Sequence, residues 1–300
     1  MNDKKKKILK SIILTILLEV IVYFLFKLLF NYLGLNTNTE RGLIIELLYF
    51  TLSGYIVYSF LPEGTLKKHI EKIGIFILLL LGMASFPSIP IALFNINTDT
   101  WSTTFKIIYE FIFDLLFMLI VYLSYRKKIN KEFKDYFSNF IDNIELTLKY
   151  YIVGLIIMIV SNLIINLFFT GGIAGNEEKV RSLLTNYPLY MIFSISIYAP
   201  FIEEMIFRRS IKDTFIKETK YTKYLYILTS GLIFGGMHLL EATKAIEILY
   251  IIPYGALGIA FAANYYKTNN IFSTITIHCI HNTVTVILFF LTGGIKWNDY

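Results

Sequence analysis

Runs of about twenty apolar residues, parted by short polar stretches, constrain this chain more than any other feature. The first, "ILKSIILTILLEVIVYFLFKLLF" (8–30), is typical of them. An α-helix rises 1.5 Å per residue, so roughly twenty such residues cross the ~30 Å hydrocarbon core of a bilayer. Inside that core every backbone N–H and C=O must find its partner within the protein, which favours helices over open sheets. The charged fraction agrees: 17% of 300 residues, against about 25% in a soluble domain. The chain is therefore expected to be all-α, a polytopic transmembrane bundle of about eight to nine spans. These are placed at 8–30, 42–61, 73–94, 105–125, 148–170, 187–216, 224–240, 246–265 and 271–292. The basic head and apolar body of residues 1–30 look like a signal peptide. The apolar part is too long, however, and no small-residue cleavage site follows, so an uncleaved span is expected. One cysteine, Cys279, leaves neither an internal disulfide nor a Cys-based zinc site.

Charge sets the orientation. With a cytoplasmic N-terminus, 20 Lys and Arg residues fall on the cytoplasmic side, 5 on the other and 3 within spans. Such a bias orients a multi-pass chain, and it accounts for the net charge of +6 without a nucleic-acid partner. The longest cytoplasmic loop is expected at "RKKINKEFKDYFSNFIDNIE" (126–145). Residues 1–186 then form N-terminal helices of unassigned role, 187–292 a core that carries the chemistry, and 293–300 a tail. The Lys-, Ile- and Asn-rich usage points to a bacterial cytoplasmic membrane.

An ionisable side chain inside a span costs about 2.5–3.5 kcal/mol on insertion scales, so each one asks for a reason. In the front half Glu19, Lys27, Glu46, Glu110 and Asp114 fall in no motif and are read as contacts between helices. The back half differs. In "EEMIFR" (203–208), Glu204 and Arg208 share a helix face and can pair at i,i+4, while Glu203 points about 100° away. One carboxylate is thus neutralised and the other left free to react. In "FGGMH" (234–238), two glycines that weaken a helix make sense if a second helix must come close beside His238; Phe234 and Met237 read as packing residues. In "HCIHN" (278–282), His278 and Asn282 lie one turn apart on a face. From the expected helix ends, Glu203, His238 and His278 stand roughly 15–21 Å from the cytoplasmic side, so one shared site is allowed.

A glutamate and a histidine facing one water can act as a general base and its partner. A second histidine with a carboxamide can donate to the oxyanion of a tetrahedral intermediate. Together these hydrolyse an amide. The same Glu203, His238 and His278 could instead ligate a divalent metal such as zinc, since two histidines and one carboxylate leave a position for water. The HExxH pattern is absent, so such ligands come from three helices.

The three motifs resemble, in order, the EExxxR, FxxxH and HxxxN signatures of the CPBP family of intramembrane proteases. That family includes the CAAX prenyl endopeptidase, or Ras-converting enzyme, and bacterial bacteriocin-immunity and abortive-infection proteins. The glycine-containing stretch "GALGIAFAANYYKTNNIFSTITIH" (255–278) is similar to the helix and turn before the family's last motif. The resemblance covers about 187–292. It implies that Glu203 and His238 activate water, that His278 and Asn282 stabilise the oxyanion, and that Glu204 and Arg208 support them; it gives His281 no fixed role. The expected function is an intramembrane peptidase cleaving a membrane-associated peptide or protein, in peptide processing or bacteriocin self-immunity. The alternative is a non-catalytic immunity or scaffold protein that keeps the fold.

Overall fold

The computed structural model describes residues 39–59, 64–168, 175–215, 219–242 and 244–292. The expected first span, with Glu19 and Lys27, and the tail 293–300 lie outside the described residues. Within them the chain is helical, without strands. The elements are α1 (Glu40–Ser59), α2 (Thr65–Ser85), α3 (Ser88–Phe94), α4 (Thr103–Ser138), α5 (Phe140–Phe168) and α6 (Gly175–Asn186). They continue with α7 (Pro188–Thr214), α8 (Lys220–Met237), α9 (Ile251–Thr268, entered through a 3₁₀ turn at Ala245–Tyr250) and α10 (Ile271–Leu291).

Five helical segments are long and apolar enough to cross a membrane: α4, α5, α7, α10, and α9 with its entering turn. A sixth arises if α2 and α3, bent 77° apart at Phe86-Pro87, count as one broken span. The chain is a multi-pass membrane protein, and the described residues carry five or six of the eight to nine expected crossings. Helix α8 stands where a span was expected but is not among those that reach this length and apolarity.

The stretch 126–145, expected as a loop, is instead helix on both sides of Asn139. The reason is a stripe at helical spacing: Ile129 and Tyr136 are buried, with half-buried Glu132 between them, and most of the charged residues face outward. Dense charge hid a 3.6-residue period.

The chain divides into two compact units between Phe117 and Met118, inside α4. In the first, α3 lies against α1, where Arg41 Nε donates to Ala92 O at 2.9 Å. Tyr109 donates to Pro87 O at 2.6 Å, and the Phe86 ring packs on Phe113 and Phe117. Glu46, Glu110 and Asp114 belong to this unit.

The second unit is built around α7 and α9, with 44% and 56% of their most apolar stretches buried, against 11% for α5. Glycines decide how closely the helices approach. A Cβ on Gly231 would come within 2.6 Å of Ile259 N, and one on Gly235 within 2.8 Å of Gly255 N, both on α9. Gly231-x-x-x-Gly235 is thus the small-residue face on which α8 and α9 touch backbone to backbone. Gly236, expected to serve the same approach, meets nothing within 4 Å; it points away from α9. Helix α5, counted in the front half from sequence, packs on α9 as well, where a Cβ on Gly154 would lie 2.7 Å from Ala260 Cβ.

Candidate active site

Helix α7 carries the first motif, and it is not a regular α-helix. Ser194–Tyr198 and Glu204–Ser210 are wide π-helical stretches, a geometry frequent at functional sites. In the first, N–H groups reach back five residues, as Ala199 N does to Ser194 O. The next residue, Pro200, has no N–H, so the Ile195 carbonyl loses its partner in that register. Asn282 of α10 supplies it: Nδ2 donates to Ile195 O at 2.9 Å. One amide proton of Asn282 therefore clamps α10 to α7, and the other stays available. Expected as an oxyanion donor, Asn282 braces two helices.

The second π stretch begins at Glu204. Its carboxylate is wholly buried, with Arg208 Nε 3.0 Å from Oε2 and Nη2 donating to Oε1 at 3.2 Å. Arg208 is itself 0% exposed; its Nε lies at ion-pair distance without a hydrogen bond, and its terminal nitrogens are both engaged. Nη1 donates to Ser230 Oγ at 3.2 Å, and Ser230 donates on to Phe207 O at 2.6 Å. The Phe234 ring lies 4.7 Å from the guanidinium carbon and the Phe261 ring 5.7 Å, cation–π contacts in a dry setting. These contacts offset part of the cost of burying the ion pair.

His278 closes the group. Its Nδ1 lies 2.9 Å from Glu204 Oε1. An ion-paired carboxylate only accepts, so Nδ1 carries the proton and Glu204 fixes the tautomer. The other nitrogen, Nε2, faces Glu203 Oε2 at 3.7 Å. Glu203 keeps 18% of its side chain exposed, where Glu204 keeps none. The adjacent acids thus part as their spacing required, one locked to Arg208 and His278, the other open.

His238 stands just past the end of α8, where a span running to residue 240 was expected. Its Nδ1 lies 3.0 Å from Phe234 O, one of the carbonyls a helix terminus leaves without an intrahelical partner. The carbonyl can only accept, so Nδ1–H donates and Nε2 keeps its lone pair. The ring is stacked on Tyr254 at 4.5 Å and 25°, and against Phe234 at 4.7 Å. Phe234 also meets His278 at 5.9 Å, so one aromatic ring touches both imidazoles and the arginine. His281 turns elsewhere, to Tyr151 of α5 at 3.0 Å.

Among the described residues no three His, Cys, Asp or Glu side chains converge to hold a metal ion. The trio Glu203, His238 and His278 is therefore not among such groups. Sequence reasoning also missed Ser230, Tyr254 and Phe261 and gave Phe234 only a packing role. Phe234 had a signal, its place in FxxxH; the others have no pattern and appear only when α8, α9 and α7 are brought together.

Residues 185–284 match the family model described as Type II CAAX prenyl endopeptidase Rce1-like. That stretch is an Rce1-like domain. It takes in α7 to α9 and most of α10, and so every side chain of the cluster. Three bacterial proteins are similar over 114 to 134 residues of the chain. YdiL of Bacillus subtilis, which carries a membrane peptidase name, is 31% identical over 121 residues, 40% of this chain and 46% of its own length. The membrane-embedded CAAX protease MroQ of Staphylococcus aureus is 28% identical over 134 residues, 43% and 51%. The UPF0177 protein YvdC of Lactococcus lactis is 22% identical over 114 residues, 38% and 41%. The chain spans about half the length of these curated relatives. No solved structure matches it.

Proposed function

We propose that this chain is an intramembrane peptidase that hydrolyses a peptide bond in a membrane-associated peptide or protein, with Glu203 as the base. The observation that carries the reading is the approach of His278 Nε2 to Glu203 Oε2 at 3.7 Å, behind which Glu204 and Arg208 form a buried brace. The family of the Rce1-like domain supports it.

A water beside Glu203 gives its proton to the carboxylate and, with its lone pair, attacks the carbonyl carbon. The electron pair of the C=O bond moves to oxygen, and donors fixed beforehand stabilise the resulting charge. His278 Nε2, when protonated, and the second N–H of Asn282 are those donors. His238 Nε2, an acceptor by its tautomer, orients the water. The proton on Glu203 then passes to the amide nitrogen, the C–N bond breaks, and an acid and an amine leave.

The three bacterial relatives favour a bacterial cytoplasmic membrane, with the substrate drawn from the same bilayer. Quantitative proteomics of membranes carrying wild-type protein or Glu203→Gln tests the reading. A peptide or protein that accumulates uncut only in the variant is expected; identical processing in both, with the variant present in the membrane at normal level, overturns it.

A further inference from the structure

The match to the family model begins at residue 185, yet a side chain well before it reaches into the frame of the active site. Glu132, near the end of α4, is ion-paired to Arg209 of α7, and its carboxylate also accepts from Ile271 N, the first amide of α10, at 2.9 Å. Its carbonyl accepts from Asn270 Nδ2 at 2.7 Å, while Asn270 Oδ1 caps α10 by accepting from Phe272 N at 3.0 Å. Arg209 and Asn270 are both buried, so the tie is largely screened from water. The Phe133 and Tyr136 rings lie 5.2 and 6.4 Å from that of Phe272 and hold the end of α4 on the start of α10.

Along α7, Ile195, Glu204 and Arg209 follow one another; along α10 their counterparts run in reverse, Asn282, His278 and Ile271. Asn282 Nδ2 donates to Ile195 O at 2.9 Å, His278 Nδ1 to Glu204 at 2.9 Å, and Glu132 joins Arg209 to Ile271 N. Two ties thus flank the approach of His278 to Glu203, one on each side. That approach is 3.7 Å, already longer than a hydrogen bond, so a small slip of α10 along α7 breaks it. A displacement of about 1 Å at a reacting pair can lower the rate about a hundredfold. Arg209 directly follows Arg208, the cation that holds Glu204, so the tie grips α7 one residue from the brace. We propose that Glu132 is a positioning residue for the hydrolysis: it fixes the register of α10 against α7 and so keeps the His278 imidazole on Glu203. This role rests on the peptidase reading, and it gives α4 a part in the site.

Full-length protein labelled with [¹³C,¹⁵N]histidine is studied in lipid vesicles by solid-state NMR above neutral pH, with His278 assigned by the loss of its signals in His278→Gln. The wild type is expected to hold the His278 proton on Nδ1. In Glu132→Ala the ratio of the Nδ1–H to the Nε2–H tautomer should fall at least about tenfold. Release of ¹⁸O-labelled C-termini from membranes in labelled water should slow at least about tenfold. Glu132→Gln keeps the side chain's size and an oxygen for Ile271 N, and should fall between the two. Lys134→Ala, an exposed change on the same helix, should match the wild type in both measurements. A wild-type tautomer ratio or wild-type cleavage in Glu132→Ala overturns the assignment, as does an equal loss in Lys134→Ala. Should the alanine variant fail to fold, Glu132→Gln is read in its place. The tautomer is read without substrate, so failure of the peptidase reading, shown by Glu203→Gln cleaving as the wild type does, is told apart from failure of the tie.

Discussion

Arg208 shows what a single residue does here. It neutralises Glu204, and Glu204 in turn fixes the proton of His278 on Nδ1. Replacing Arg208 by leucine leaves a buried carboxylate without its cation, a loss of about 3–5 kcal/mol. Unfolding of purified protein, followed in one detergent, should show it. Tyr254 acts differently: it faces the ring of His238 at 4.5 Å. Tyr254→Phe should keep cleavage near wild-type rate, whereas Tyr254→Ala, which frees the imidazole to turn, should lower it about tenfold or more. Equal loss in both variants would assign the hydroxyl rather than the ring. Much at this scale was legible beforehand. The i,i+4 spacing of Glu204 and Arg208 predicted their pairing, and the 100° offset predicted that Glu203 stands apart. The link from Glu204 to His278 was not legible, because it joins residues 74 apart through two helices whose mutual rotation no local pattern encodes.

At the scale of elements, α7 and the α8–α9 contact matter most. The π turns of α7 widen the helix at Ile195 and from Glu204 onward, and Pro200 leaves the carbonyl that Asn282 takes up. Only the proline was visible in the sequence; the register was set by packing. The glycines of α8 make a paired prediction. Gly235→Val pushes a side chain into the backbone of α9 at Gly255 and should destabilise by about 1–3 kcal/mol, displacing His238. Gly236→Ala, with open space around it, should be stabilising by about 0.5–1 kcal/mol through helix propensity. Thermal unfolding of the two variants in the same detergent separates them. The helical run through 126–138 was misjudged because its charges were weighed and its buried stripe of Ile129 and Tyr136 was not.

For the whole molecule, the lysine and arginine bias predicts which face of the membrane each end of the helices meets. In a Cys279→Ser background, Lys244→Cys should react with a membrane-impermeant maleimide in intact cells, and Lys127→Cys only after lysis. The reverse pattern would invert the orientation. All-helical architecture followed directly from the apolar runs, whereas the number of crossings did not. The bent α2–α3 pair and the weak apolarity of α8 leave length alone a poor guide to what spans.

The central claim is that Glu203 delivers water to a peptide carbonyl inside the bilayer. It is tested most directly by incubating membranes bearing the wild-type protein or Glu203→Gln in ¹⁸O-labelled water and sequencing the newly formed C-termini by mass spectrometry. The account predicts fragments carrying one ¹⁸O in their new carboxyl group with the wild type and none of these fragments with the variant. The same labelled fragments at the same rate from both membranes would contradict it.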